Sequence, residues 1–136
     1  MTFAIKAEVR NPRAARFTFS AQRTMYGGKR VANGDTIFVF ASENEGGPGL
    51  IARGVVTSAK ATPRKRVVDR QTPRVSITIR RTARSRRRLG RGELRPFSSW
   101  KDGRPETELN FKFYRQATNK IAGISDDAAA FLRRFF

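Results

Sequence analysis

The sequence contains no cysteine and no histidine. Without thiols there is no disulfide, no thiolate nucleophile and no zinc–cysteine site. Without imidazole the commonest general base and the commonest metal ligand are missing, and the usual nucleophilic triads go with them. Acids are scarce as well: 11 Asp and Glu stand against 29 Lys and Arg, a net charge of +18 over 136 residues. No apolar run reaches the about 18 residues that a membrane-spanning helix needs. The opening, MTFAIKAEVR, lacks the apolar core of a secretory leader. These absences make a reducing, intracellular and cytoplasmic setting the expectation, with no cofactor called for.

What remains is a polycation with a core. The length suits one domain over residues 1–136. The charge restricts partners to polyanions, of which nucleic acid is the commonest. An acidic protein is an alternative. A membrane surface would call for a basic amphipathic helix or a lipidation signal, and neither is evident. Eleven phenylalanines, with Val, Ile and Leu, supply enough apolar area for a folded domain rather than a basic tail.

Strand signals dominate the chain. FAIKAEV alternates over Phe3–Val9 and is broken by NPRAAR; RFTFS is a second short strand, followed by the turn-rich MYGGKRVANGD. TIFVFAS, Thr36–Ser42, is apolar on both faces and is predicted to be central and covered on both sides. LIARGVVTSAKA is its hairpin partner, and RKRVVDR a basic connection. RVSITIRRTARS puts Val75, Ile77 and Ile79 inward and Ser76, Thr78 and Arg80 outward. ELNFKFYR reads as another strand with Leu109, Phe111 and Phe113 inward. SDDAAAFLRRFF is a helix: Ser125 caps it, Asp126 and Asp127 face the positive end of its dipole, and Arg133 and Arg134 the negative end. Its buried stripe is Phe131, Leu132 and Phe135. The predicted fold is α+β: a small curved or barrel-like, mostly antiparallel sheet with flanking helices.

The densest charge is RRTARSRRRLGRGELR, Arg80–Arg95, whose one acid is Glu93. Between Gly46 and Gly92 the one acid is Asp69. A solvated face normally mixes both signs, so this stretch reads as a phosphate-binding patch; a solubilising loop is the plainer alternative. Arg80 extends the outward face of a strand, while Arg84, Arg86, Arg87 and Arg88 fall on a loop expected to order on binding, and Arg91 is a further phosphate candidate. About six phosphate contacts on duplex DNA would give a log–log salt slope near −5.

Candidate pocket residues are the lone Trp100 among polar loop residues, Tyr26 in a glycine-rich turn, and Ser42 at the end of the central strand. In RQATNK, the amides of Gln116 and Asn119 suit base edges, and Arg115 and Lys120 suit phosphates; loop satisfaction is the competing reading. Lys6 is divided between snorkelling and phosphate contact, and Tyr114 is expected to be exposed near the phosphates. Glu106, Glu108 and Lys112, alternating along the late strand, form a weak metal-nuclease constellation that more often marks a mixed-charge exterior.

The order of four segments resembles the PUA-like superfamily, especially its EVE branch, with the YTH domain related. These are the opening strand FAIKAEV, the Gly-Asp turn and apolar strand NGDTIFVFAS, the glycine-bearing partner GLIARGVVTSA, and FKFYRQATNKIAGIS leading into a capped helix. The tryptophan common after the first helix of EVE and YTH domains is missing, and Phe17, Phe19 and Tyr26 occupy that region. The resemblance implies a non-catalytic reader that holds one modified base of DNA or RNA in an aromatic and polar pocket. Phe19, Tyr26, Ser42, Trp100, Gln116 and Asn119 are the expected walls, with Lys6, Arg80, Arg84, Arg86, Arg87, Arg88, Arg91, Arg115 and Lys120 on phosphates. A ribosomal-type RNA-binding protein without a pocket is the alternative.

Overall fold

The computed structural model describes residues 1–62, 73–99 and 101–136; Trp100 and the RKRVVDR connection lie outside them. The strands are β1 (Thr2–Ala7), β2 (Arg16–Gln22), β3 (Thr24–Met25), β4 (Thr36–Ala41), β5 (Gly49–Ala61), β6 (Val75–Arg84) and β7 (Lys120–Gly123). They form one sheet in the order β2-β6-β5-β4-β1-β7-β3. Pairings are antiparallel except β1 with β4 and β3 with β7. β4 is central, as its two apolar faces predict. Ile37, Val39 and Ala41 point into one core, and Phe38 and Phe40 into another.

The sheet curls because its two ends are one stretch of chain. β2 pairs with β6, and after Arg23 the same run continues as β3 and pairs with β7. The segment Arg16–Met25 thus changes partner midway and nearly closes a barrel. The switch is marked by Ala21, a non-glycine residue at φ 47°. Its N–H donates to Ser76 Oγ (2.8 Å) and its carbonyl accepts from the Arg74 guanidinium (3.0 Å), so the surroundings fix a left-handed backbone that alanine resists. Phe3, Ile5, Phe17, Phe19, Ile77 and Ile79 fill the interior.

Three helices cover one flank: α1 (Arg91–Leu94), α2 (Pro105–Asn110) and α3 (Asp126–Arg133). α2 runs on as a π-helical segment, Phe111–Arg115. The strand expected over ELNFKFYR is therefore helical. Pro105 starts it at a favoured position, with Asp102 Oδ1 accepting from Arg104 N at 2.9 Å just before. Leu109 and Phe113, four residues apart, are fully buried, while Phe111 between them is 38% exposed. That is one helical face, not alternation. Glu106 and Glu108 consequently sit on a helix. Burial alone would raise the Glu108 carboxyl, but hydrogen bonds from Ser125 and Lys112 outweigh it and hold it below its ordinary value. Ser125 caps α3 as predicted, accepting from Ala128 N. The arginine run is held by backbone hydrogen bonds: Ser85 N donates to the Ile51 carbonyl, Arg86 N to that of Phe135, and α1 follows.

Lys6 and Lys120 are corrections to the phosphate assignment. The β1–β7 register sets them opposite each other, and they are 1% and 0% exposed. Lys6 Nζ donates to the carbonyls of Phe113 (2.7 Å) and Ala117 (2.8 Å), and Lys120 Nζ to those of Lys112 and Gln116 (2.6 Å). The pair caps the negative end of the α2–π helix and satisfies carbonyls that its last turn leaves open. Burial, and next the Lys6 charge, pushes Lys120 down to about 8 from 10.5. The folded state therefore binds fewer protons than the unfolded chain between these values, and the contribution of Lys120 to stability rises as pH climbs through that window. A neutral amine still donates to both carbonyls. Denaturant unfolding across pH should give a stability difference between wild type and Lys120→Met that grows from about pH 8 toward pH 10.5.

Candidate nucleic-acid interface

The change of partner along Arg16–Met25 has a local consequence. Among the described residues, β2 pairs on one side only. Its free side borders a cavity of about 680 Å³, walled opposite by Ala7 at the end of β1 and Glu8–Asn11 after it, by Glu45, and by Asn119 just before β7. This volume lies within the about 300–1,000 Å³ of small-molecule sites. Phe17 and Phe19 lie behind it in the barrel core, 5% and 6% exposed, their rings stacked on each other at 6.2 Å and 14°. Gln22 and Asn119 bring amides, Glu8 and Glu45 carboxylates, Arg10 and Arg16 guanidinium groups. Asn119 Nδ2 donates to Glu45 Oε1 at 3.3 Å.

Ser42 is tucked against this wall. Its N–H donates to the carbonyl of Ala7, a lining residue, at 2.8 Å, and its carbonyl accepts from Gly47 N. Its Oγ is buried and, among the described residues, has no hydrogen-bond partner. Buried hydroxyls are ordinarily satisfied, so this one is an unused donor and acceptor.

A second cleft, about 370 Å³, lies across the connection between β1 and β2. It is lined by Arg13, Arg84, Arg86, Arg87 and Arg88, with Pro12, Pro48, Leu50, Ile51 and Ser85. The connection faces the cavity through Arg10, Asn11 and Ala14, and the cleft through Pro12 and Arg13. Arg81 pins it: its backbone N–H donates to the Ala15 carbonyl, and its guanidinium to those of Arg13 (2.7 Å) and Ala14 (2.9 Å). A bulge aims the next arginine. Gly54 pairs with Arg81 but Arg53 with Ala83, so Thr82 is an extra residue. Beyond it Arg84 stands opposite Ala52, whose side chain belongs to the barrel interior, which turns it from the outer face toward the mouth.

The arginines are not equivalent. Arg87 donates to the Arg134 carbonyl at 2.6 Å and lies 4.5 Å over the Phe135 ring, tying the run to the end of α3. Arg91 is structural too: its N–H donates to Glu43 and its guanidinium to Asn44, both at 2.6 Å. Glu43 also accepts from Tyr114 OH at 3.0 Å, and burial, then the Glu43 charge, raises that phenol above its ordinary value. Tyr114 is thus partly buried and committed, not exposed among the phosphates. Arg88 meets Glu93 at 3.8 Å in an exposed pair, a weak tether. Arg84 and Arg86 are exposed.

Of the expected pocket residues, Phe19 and Asn119 share the cavity and Ser42 lies beside it. Tyr26 and Gln116 form a separate pair instead, with Tyr26 OH donating to Gln116 Oε1 at 2.6 Å. Tyr26 packs edge-on against Phe111 and takes Lys112 Nζ 5.0 Å above its ring. Arg115 is exposed at the end of the π-helical segment, and Arg80 on the outer face of β6. Arg10, Arg13, Arg16 and Arg81 were not singled out by the sequence reading. The signal for the first three was VRNPRAAR, a break carrying three arginines and no acid.

No family profile and no curated protein matches the sequence. Solved structures do match. The DUF55 domain of human thymocyte nuclear protein 1 superposes with TM-score 0.64 at 11% identity, over 97% of this chain and 96% of that one. A Pseudomonas putida protein gives 0.64 at 12% identity over 99% of both chains. Human THYN1 protein in complex with DNA containing 5-methylcytosine gives 0.63 at 12%, over 96% of this chain and 94% of that one. At such identities the likeness carries the fold, and the chain has the PUA-like, EVE-type fold that its four segments resemble.

Proposed function

We propose that residues 1–136 act as one non-catalytic nucleic-acid-binding module, which takes a single extruded, modified base into the cavity beside β2 and grips the adjoining backbone with the arginine cleft. The observation that carries this is the shared wall: one short connection, Arg10–Ala14, borders both spaces. A base in the cavity and its phosphate in the cleft would be neighbours, as one nucleotide requires. Asn119, Glu8 and Glu45 offer groups for a base edge, and a carboxylate suits an exocyclic amine such as that of cytosine. Arg13, Arg84, Arg86 and Arg88 hold the backbone and carry no sequence information.

The fold neighbour in complex with 5-methylcytosine DNA supports modified DNA as the first ligand to try. Cleavage is disfavoured because Glu108, the best carboxylate for it, is engaged by Ser125 and Lys112. A pocketless, charge-only RNA binder would leave the cavity without purpose.

A titration screen of duplex and single-stranded oligonucleotides with varied base modifications tests the reading. One modification should bind most tightly. Asn119→Ala should erase that preference while leaving general affinity. An Arg84→Gln, Arg86→Gln, Arg88→Gln variant should bind every strand more weakly and, on duplex DNA, flatten the log–log salt slope by about 2.7. Equal affinity of the wild type for plain and modified strands would contradict base capture. Ser42→Ala should stabilise the fold by about 1 kcal/mol, because it removes a buried, unsatisfied hydroxyl. Denaturant unfolding of this variant checks it.

A further inference from the structure

The helices cover only part of the sheet. They pack over β1, β4, β7 and the start of β5, through Ala4, Phe38, Phe40, Leu50 and Ala122. The outer face of β2, β6 and the rest of β5 has a different chemistry. Its cross-strand rows are Arg16 opposite Arg80, then Thr18 opposite Thr78 and Ser58, with Lys60 opposite Ser76 beyond. Arg16, Thr18, Lys60 and Arg80 are exposed. These three strands contain no carboxylate. Two arginines directly opposite each other repel, and sheet surfaces normally place opposite charges in such rows. Among the described residues no acid pairs with Arg16, Arg80 or Lys60. Apart from the half-buried Val55 opposite Arg80, the face is built of cations and hydroxyls, the groups that contact phosphate and sugar oxygens, rather than of amides that read bases.

Arg16 and Thr18 border the cavity as well as this face, so the two surfaces join at β2. We infer that duplex nucleic acid flanking the captured base lies across the outer face of β2, β6 and β5, with Arg16, Arg80 and Lys60 on phosphates and the threonine and serine hydroxyls on backbone oxygens. This second track is independent of sequence and extends the contact away from the arginine cleft, which lies beyond the Thr82 bulge. It rests on the cavity being the base site.

Arg80 and Lys60 line neither the cavity nor the cleft, so they separate the track from the base site. Fluorescence anisotropy across a salt series would compare wild type with a Lys60→Gln, Arg80→Gln variant. The probes are a short single strand carrying 5-methylcytosine and a duplex several helical turns long with the same central base. On the duplex, the variant should bind more weakly and lose about 1.8 from its log–log salt slope, whereas the short strand should bind both proteins alike. Equal duplex slopes, an equal loss on both probes, or full competition by polyglutamate would overturn the track. A wild type that binds neither probe would instead sink the base-capture reading beneath it. Removing like charges from an exposed row leaves the fold at least as stable, which the unfolding midpoint verifies.

Discussion

The architecture depends on one backbone constraint: the run Arg16–Met25 must serve two strands in turn. A strand that pairs along its whole length on both sides would close the barrel and leave no opening. Here the first part bonds β6, the second part bonds β7, and the left-handed Ala21 marks the exchange. The edge released along β2 is where the cavity lies, with Phe17 and Phe19 behind it. The same strand presents Arg16 and Thr18 at the border of the cavity and the uncovered outer face.

Glu8 and Glu45 stand with Arg10 and Arg16 around that opening, whereas the neighbouring arginine cleft is lined by no acid. Several other carboxylates serve the scaffold. Glu43 gathers Arg91 and Tyr114, and Glu108 joins α2 to the cap of α3. Asp102 stabilises the entry to α2, its carboxyl held below its ordinary value by the backbone N–H of Arg104, an effect that burial opposes and the Thr107 hydroxyl reinforces. The buried lysines do likewise, capping a helix with Lys6 and Lys120. What remains for a partner is arginine on the surface, whose fork matches phosphate geometry and whose charge is permanent.

Much of the sheet was legible in the sequence because period-two alternation is a direct imprint of pleating, clearest in Val75, Ile77 and Ile79. The capped terminal helix was equally legible from Ser125 and its neighbouring acids. The helix over Glu106–Arg115 was not, because Leu109 and Phe113 with Phe111 between them satisfy both a two-residue and a four-residue repeat over so short a span. Lys6 and Lys120 were misassigned for a related reason: their partners are carbonyls of that unforeseen π-helical segment. Of the candidate pocket residues, Phe19 and Asn119 border one cavity, Ser42 is buried outside its lining, and Tyr26 and Gln116 satisfy each other. Arg10, Arg13 and Arg16 gained meaning only when the fold set their loop between two hollows.

The central claim is that a base enters beside β2. Photocrosslinking tests it most directly, with a duplex carrying one photoreactive pyrimidine and peptides mapped by mass spectrometry. Adducts should fall on Phe17–Ser20, Arg10–Asn11 or Asn119, and only when the reactive base is the one extruded. Adducts confined to Tyr26 and Phe111, or spread evenly over the arginines whatever base is labelled, would contradict it.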